Sequence, residues 1–248
     1  MSLTVHQFAC LSDNYGFLVR DDATGKTATI DTPDADAILA ELDRLGWKLD
    51  LILNTHWHPD HAGGNAAIKA TTGATIVGPA EVTRIAPLDR EVGDGDVVEL
   101  GETRFTVIDT GGHTLGHIAY HDASNAIAFV GDTLIALGCG RLFEGTAEQM
   151  WSSLSRLTAL PDATTVYCAH EYTASNARFA LSVDDDPALR ARADQIFASR
   201  ERGEPTVPTS IGVEKATNPF LRAPLLRPDL EPAMAFADIR AAKDGFKG

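Results

Sequence analysis

Cysteine is scarce in this chain: Cys10, Cys139 and Cys168 are the only three in 248 residues, and no two form a CxxC pair. An odd, widely spaced set excludes a disulfide scaffold and points to a reducing compartment, the cytoplasm. Positive charge is in deficit as well, with 21 Lys and Arg against 35 Asp and Glu and a formal net charge of −14. Such a field repels phosphate backbones, which argues against nucleic acid and requires any anionic substrate to meet a local basic pocket. No stretch approaches the ~20 apolar residues of a membrane span. Residues 1–16 lack a basic region followed by an apolar run, so neither an anchor nor a secretory leader is expected. A GxSxG elbow is missing, which removes the usual serine nucleophile of α/β hydrolases. There are no internal repeats or low-complexity tracts. The remaining composition, 44% hydrophobic and 23% charged, is that of a globular chain with a real core. The length suits one domain with a small appendage, and a monomer is expected.

Strand-like and helix-like segments alternate over the first two-thirds. Short strands are predicted at 16–20, 27–31, 51–53 and 74–77, then at 96–100, 103–109, 117–121, 126–130 and 165–168. Helices are predicted over 34–45, where Ile38, Leu39, Leu42 and Leu45 recur at helical spacing, and over 61–72, with Asp60 as its N-cap. A third spans 146–160, with Met150, Trp151, Leu154 and Leu157 on one face. After Tyr172 helical patterns dominate, at 187–202 and 230–246, joined through a proline-containing connection over 203–208. This change divides the chain into an α/β domain over 1–173 and a smaller helical domain over 174–248.

The run Thr55-His56-Trp57-His58-Pro59-Asp60-His61 places three histidines and one aspartate within six residues. His56 and His58 are two apart, so an extended backbone turns both to one side, where they can share a metal. Asp60 and His61 fall at the turn into a helix and can serve a neighbouring position. Imidazole and carboxylate suit borderline divalent metals such as zinc. Three further candidates end strand-like segments: His113, Asp132 and His170. In layered α/β domains functional groups collect at strand ends on one rim.

This set resembles the ligand pattern of the metallo-β-lactamase superfamily. The likeness implies an αββα sandwich in which His56, His58 and His113 hold one metal ion. Asp60, His61 and His170 hold a second, and Asp132 bridges the two. Within the superfamily the segments 131–134, 138–141, 143–146 and 169–173, then Asn218-Pro219-Phe220 and Arg240-x-x-Lys243-Asp244-x-Phe246, resemble the glyoxalase II (hydroxyacylglutathione hydrolase) family over almost the whole chain. The family's helical C-terminal domain is implied with them.

The resemblance implies hydrolysis of S-D-lactoylglutathione to D-lactate and glutathione by a hydroxide that bridges the metals and is held by Asp132 and Asp60. A two-metal site lowers the pKa of such a water, so no protein nucleophile is needed. The two ions are expected to be zinc, with iron and manganese also suited to a mixed His/Asp set. Arg141, Phe143, Tyr172, Arg240 and Lys243 are implied for substrate binding. Arg240 and Lys243, three apart, are neighbours on a helix face; read without the family they are a solvated basic helix end. Arg141 stands where many members have Lys, and Phe143 where some have Tyr, which removes one hydroxyl contact to glutathione. Cys168 reads as a buried core thiol, His117 and Asp31 as supports behind the ligands, and His6 and His121 as surface or strand residues. The alternatives are a glutathione persulfide dioxygenase with one iron on the same fold, which lacks the tail bearing Arg240 and Lys243, and a metal-binding protein without turnover.

Overall fold

The computed structural model describes residues 2–247. The chain divides into two compact units, Met1–Asp109 with Gly116–Gly131, and Thr110–Leu115 with Asp132–Gly248. Among the described residues no helix is long and apolar enough to cross a membrane.

In the first unit, β1 (Leu3–Cys10), β2 (Asn14–Asp21), β3 (Thr27–Ile30), β4 (Leu51–Leu53), β5 (Thr75–Gly78) and β6 (Arg90–Glu91) lie in that order in one sheet. The pairs from β1 to β3 are antiparallel. Those from β3 to β6 are parallel, and their register sets Ile30 beside Leu53 and Leu53 beside Val77. β3 and β4 therefore finish side by side, and Asp31 and Asn54-Thr55-His56 leave the sheet along one rim. α1 (Ala35–Leu45) starts where the Asp34 carboxylate accepts the Ala37 N–H and stops at Gly46 in the left-handed region. Two further helices follow β4, α2 (Pro59–Ala62) and α3 (Asn65–Thr72). Ile38 and Leu42 of α1 and Ile68 of α3 pack on Leu18, Ile52 and Ile76 of the sheet. Each such side chain contributes on the order of 1.5–3 kcal/mol of burial.

β7 (Val97–Leu100), β8 (Thr103–Asp109), β9 (Ile118–Asp122) and β10 (Ile127–Gly131) form an antiparallel meander. Phe129 of β10 meets Phe17 of β2 at 5.8 Å between ring centroids and Phe105 of β8 at 6.3 Å, so rings join the two sheets of this unit.

The expected helix over 61–72 is broken in two, and Asp60 lies inside α2 instead of capping it. Pro59 presets the first helical position, which starts the helix two residues early. The break at Gly63-Gly64 follows from a close approach. The Gly64 N–H turns to the Thr32 carbonyl at 3.1 Å, and a Cβ at Gly64 would stand 2.8 Å from that oxygen.

The second unit opens its longer segment with a hairpin, β11 (Leu134–Ile135) and β12 (Gly138–Cys139). α4 (Ala147–Thr158) begins with a capping box between Thr146 and Gln149. β13 (Thr165–Cys168) pairs antiparallel with β14 (Thr209–Ser210). The helices α5 (Thr173–Val183), α6 (Pro187–Glu201), α7 (Ile211–Thr217), α8 (Ala223–Leu226) and α9 (Pro232–Gly245) complete it. Ala177 and Ala180 of α5 meet Leu189, Ala193 and Ile196 of α6, small residues against larger ones. On α9, Phe236 lies 6.2 Å from both Trp151 of α4 and Phe220. β1 and α5 were not expected. β1 is a half-buried edge strand, and α5 buries mostly small residues that give little amphipathic contrast.

Candidate metal centre

The histidine run follows β4 directly, and its geometry is set by residues at the same rim. Asp31 is 4% exposed, with φ 58. Its Oδ1 accepts the Thr55 N–H at 2.7 Å; its Oδ2 accepts the Thr55 hydroxyl at 2.8 Å and His61 Nδ1 at 2.8 Å. Thr55 Oγ1 also lies 3.0 Å from His56 Nδ1. Since the Thr55 proton goes to Asp31, His56 Nδ1 is the donor in that contact. Both imidazoles are thus protonated on Nδ1 and present Nε2 as a lone pair, the tautomer of a metal ligand. The His61 carbonyl accepts the Asn54 amide at 3.0 Å and the Thr32 N–H at 2.7 Å, and Asn54 and Asn65 bond each other. Asn14 donates to Asp60 Oδ2 at 3.1 Å. The ligand atoms of His56 and His58, of His56 and His61, and of Asp60 and His61 each lie within 4.8 Å of one another. His117, fully buried, stacks on His56 at 4.7 Å, which makes it a packing support for that ring.

In the second unit, His113, Asp132 and His170 converge. Asp132, 6% exposed, places Oδ2 3.3 Å from His113 Nε2 and Oδ1 3.3 Å from His170 Nε2. The Arg141 carbonyl accepts His113 Nδ1 at 2.7 Å, so His113 Nε2 also carries a lone pair. Gly140 permits this closeness: a Cβ there would stand 2.3 Å from the Asp132 carbonyl and 2.9 Å from His113 Nδ1. Tyr172 stacks on His170, with ring centroids 4.6 Å apart and planes 5° from parallel.

Each cluster by itself fits a divalent ion. The His113 lone pair faces a carboxylate, and so does that of His61, whose Nε2 lies 3.5 Å from Asp60 Oδ2. A cation between them would satisfy both acceptors; His61, His113 and Asp132 are buried, and Asp60 is partly exposed. The donors are imidazole and carboxylate, and His56, His61, His113 and Asp60 each have a partner behind them, as metal ligands are held.

Three basic residues of the second unit meet around the end of α9. Arg240 is 7% exposed, donating to the Cys139 carbonyl at 3.2 Å and to Asp244 at 2.8 Å, with its guanidinium over Phe220. It is therefore no solvated helix end. Lys243 reaches the Ser175 carbonyl at 3.4 Å and lies over Phe179 and Phe246. Burial and the neighbouring Arg240 charge lower its pKa, opposed by Asp244. Arg141 is exposed, with Nε 3.8 Å from Asp244. Phe143, 60% exposed, sets its ring against His113 at 5.2 Å.

Cys168 is fully buried, and burial pushes its thiol up to about 12. A thiolate nucleophile is out of reach at neutral pH. Cys168→Ala is expected to keep kcat within about twofold while lowering stability by about 1 kcal/mol for the small void; thioester hydrolysis and denaturant melts measure both.

Sequence reasoning missed Thr55, Asn54, Asn65 and Asn14 as supports. The dipeptide Asn54-Thr55 at a strand end was the available signal, since buried polar residues there must bond something.

Residues 17–170 match the family model of the metallo-beta-lactamase superfamily, and residues 171–246 match that of the hydroxyacylglutathione hydrolase C-terminus. The hydroxyacylglutathione hydrolase of Maricaulis maris (strain MCS10) is 57% identical over 253 residues, covering 98% of this chain and 99% of the relative. That of Erythrobacter litoralis (strain HTCC2594) is 55% identical over 250 residues, covering 98% and 100%. Among solved structures, ETHE1 from Myxococcus xanthus superposes with a TM-score of 0.72 at 28% identity, over 96% of this chain and 90% of that one.

Proposed function

This chain belongs to the hydroxyacylglutathione hydrolases of the metallo-β-lactamase superfamily, and from that membership we propose that it hydrolyses S-D-lactoylglutathione and related 2-hydroxyacylglutathiones. The observation that carries the reading is the full-length match to such hydrolases, which includes the C-terminal segment 171–246. That segment favours a hydrolase over a dioxygenase on the same fold.

The family fold implies a dinuclear divalent metal site with a His/Asp cluster. We assign His56, His58 and His113 to one ion and Asp60, His61 and His170 to the other, with Asp132 shared; zinc suits this donor set. When bound, such a pair supplies hydroxide near neutral pH and polarises a carbonyl oxygen.

The residues of the chain do the rest. Asp132 and Asp60 orient the attacking hydroxide. Attack at the thioester carbon breaks the C–S bond; the sulfur leaves as the glutathione thiolate and takes up a proton, and the acyl group leaves as D-lactate. Arg141, Arg240 and Lys243 pair with glutathione carboxylates, giving an acidic protein its local basic patch. Tyr172, stacked face to face on His170, offers its hydroxyl to the substrate, and Phe143 supplies an apolar wall. In this reading residues 1–173 carry the hydrolytic centre and residues 174–248 the glutathione-binding helices. The protein works as a cytoplasmic monomer without nucleic-acid or membrane partners.

Loss of S-D-lactoylglutathione by purified protein tests the proposal. Chelation should abolish turnover and added divalent metal should restore it. His58→Ala should lower kcat/KM by more than about 100-fold, beyond the effect of a residue one shell further out. Absence of turnover by metal-replete protein would overturn the assignment.

A further inference from the structure

The β11–β12 hairpin lies between Asp132 and Arg141, and side chains from the helical segments hold five of its backbone polar groups. Asn218 donates Nδ2 to the Gly138 carbonyl at 2.9 Å, with the Ile135 carbonyl a longer, shared contact at 3.3 Å. Asn176 of α5 donates to the Ala136 carbonyl at 3.1 Å. Arg240 of α9 donates to the Cys139 carbonyl at 3.2 Å. The Leu137 N–H, at a residue with φ 55, goes to Glu214 Oε2 of α7 at 2.9 Å. A leucine in the left-handed region persists only where its surroundings determine it.

Glu214 is fully buried, and each of its oxygens has two donors. Oε2 accepts Leu137 N–H and Asn218 Nδ2, each at 2.9 Å. Oε1 accepts the Thr209 hydroxyl at 2.7 Å and the Arg192 guanidinium. Arg192 also donates to Thr217 Oγ1 at 2.6 Å. A buried carboxylate with a guanidinium partner and complete hydrogen bonding is a fixed point, because moving any member leaves a charge unsatisfied.

We propose that Glu214 is a positioning residue for substrate recognition: through the Leu137 N–H and Asn218 it holds the 134–139 hairpin, and so sets Arg141 relative to Asp132 and Arg240. The inference rests on the glutathione-thioester reading above. Asp132 is held from outside the hairpin through the adjacent Thr133, whose hydroxyl donates to the Thr110 carbonyl at 2.9 Å. The exposed Arg141 side chain has a 3.8 Å contact to Asp244 and lies 5.9 Å from the ring of neighbouring Phe143, so its place depends on the hairpin that delivers it. Loosening Glu214 therefore falls on binding of the glutathione carboxylates before it falls on the chemical step.

The test compares Glu214→Gln with Thr217→Val on the metal-replete protein. The first keeps shape but removes the charge that organises the hairpin; the second withdraws a partner of Arg192 that does not touch it. Glu214→Gln is expected to raise KM for S-D-lactoylglutathione about tenfold, the worth of one or two hydrogen bonds, with kcat changed less than threefold. KM for a lactoyl thioester of N-acetylcysteamine, which has no glutathione carboxylates, should stay within twofold. Thr217→Val should lower thermal stability and leave both KM values unchanged. If Glu214→Gln does not fold, Asn218→Ser replaces it with the same expected split. Equal KM shifts for both substrates, an equal shift in Thr217→Val, or a fall in kcat alone would overturn the positioning role. Failure of the native protein to hydrolyse the glutathione thioester would instead overturn the functional reading.

Discussion

Asp132→Asn is expected to lower kcat/KM by at least about 1,000-fold, the scale of losing the charge shared by a two-metal site. The same substitution should leave the metal-free protein as stable as the native chain or more so. The second half of this expectation comes from the hydrogen bonds. His113 gives its Nδ1 proton to the Arg141 carbonyl, so its Nε2 lone pair points at Asp132 Oδ2 from 3.3 Å. Without a cation, two acceptors oppose each other in a position that is 6% exposed at Asp132. An asparagine amide can donate into that lone pair, replacing repulsion with a hydrogen bond of about 1 kcal/mol. Kinetics on metal-reconstituted protein and urea melts on chelated protein measure the two effects separately. A large loss of stability in the metal-free variant would mean that Asp132 supports the fold and that its opposition to His113 is not a metal-site feature.

The proposed ligand set stands out in the sequence because its chemistry is concentrated: His56, His58, Asp60 and His61 fall within six residues after an apolar strand. His113, Asp132 and His170 became readable only beside that run, each as the residue that ends a strand-like segment. The strands over 103–109 and 165–168 were located to the residue, since strong alternation or a compact apolar run bounded them. Failures occurred where a distant partner decides. The helix break at Gly63-Gly64 depends on the Thr32 carbonyl, some thirty residues earlier. Arg240, taken alone, reads as a solvated helix end, and only the Cys139 carbonyl and Asp244 explain its burial. Glu214 carries no local sign of being buried; its place is set by Leu137, Thr209 and Arg192. Local pattern reports periodicity and turn chemistry, whereas satisfaction of buried polar groups is a property of the closed structure.

Asp31→Asn should lower affinity for both metal ions by about 10- to 100-fold and reduce activity at limiting metal in proportion, as loss of a residue behind the ligands does elsewhere. The backbone is not the cause, because asparagine tolerates the left-handed conformation that Asp31 adopts at φ 58. The cause is proton placement. Three donors converge on the two carboxylate oxygens: Thr55 N–H on Oδ1, and the Thr55 hydroxyl and His61 Nδ1–H on Oδ2. An amide offers one oxygen. If that oxygen keeps Thr55 N–H, the amide N–H groups face Thr55 Oγ1 and His61 Nδ1. His61 Nδ1 must then become an acceptor, which moves its proton to Nε2 and removes the lone pair meant for a metal. The Thr55 hydroxyl must turn away, and the acceptor within its reach is His56 Nδ1, 3.0 Å off, with the same consequence for His56. One side chain thus sets the tautomers of two ligands. Nitrogen NMR of the histidine rings in metal-free protein reads this directly, with both rings protonated on Nδ1 in the native chain and on Nε2 in the variant. Thr55→Val should affect His56 alone and cost less in metal affinity. Unchanged tautomers together with native metal content in Asp31→Asn would show that the ligands are oriented by their packing against His117 and the sheet, and that Asp31 serves only the turn.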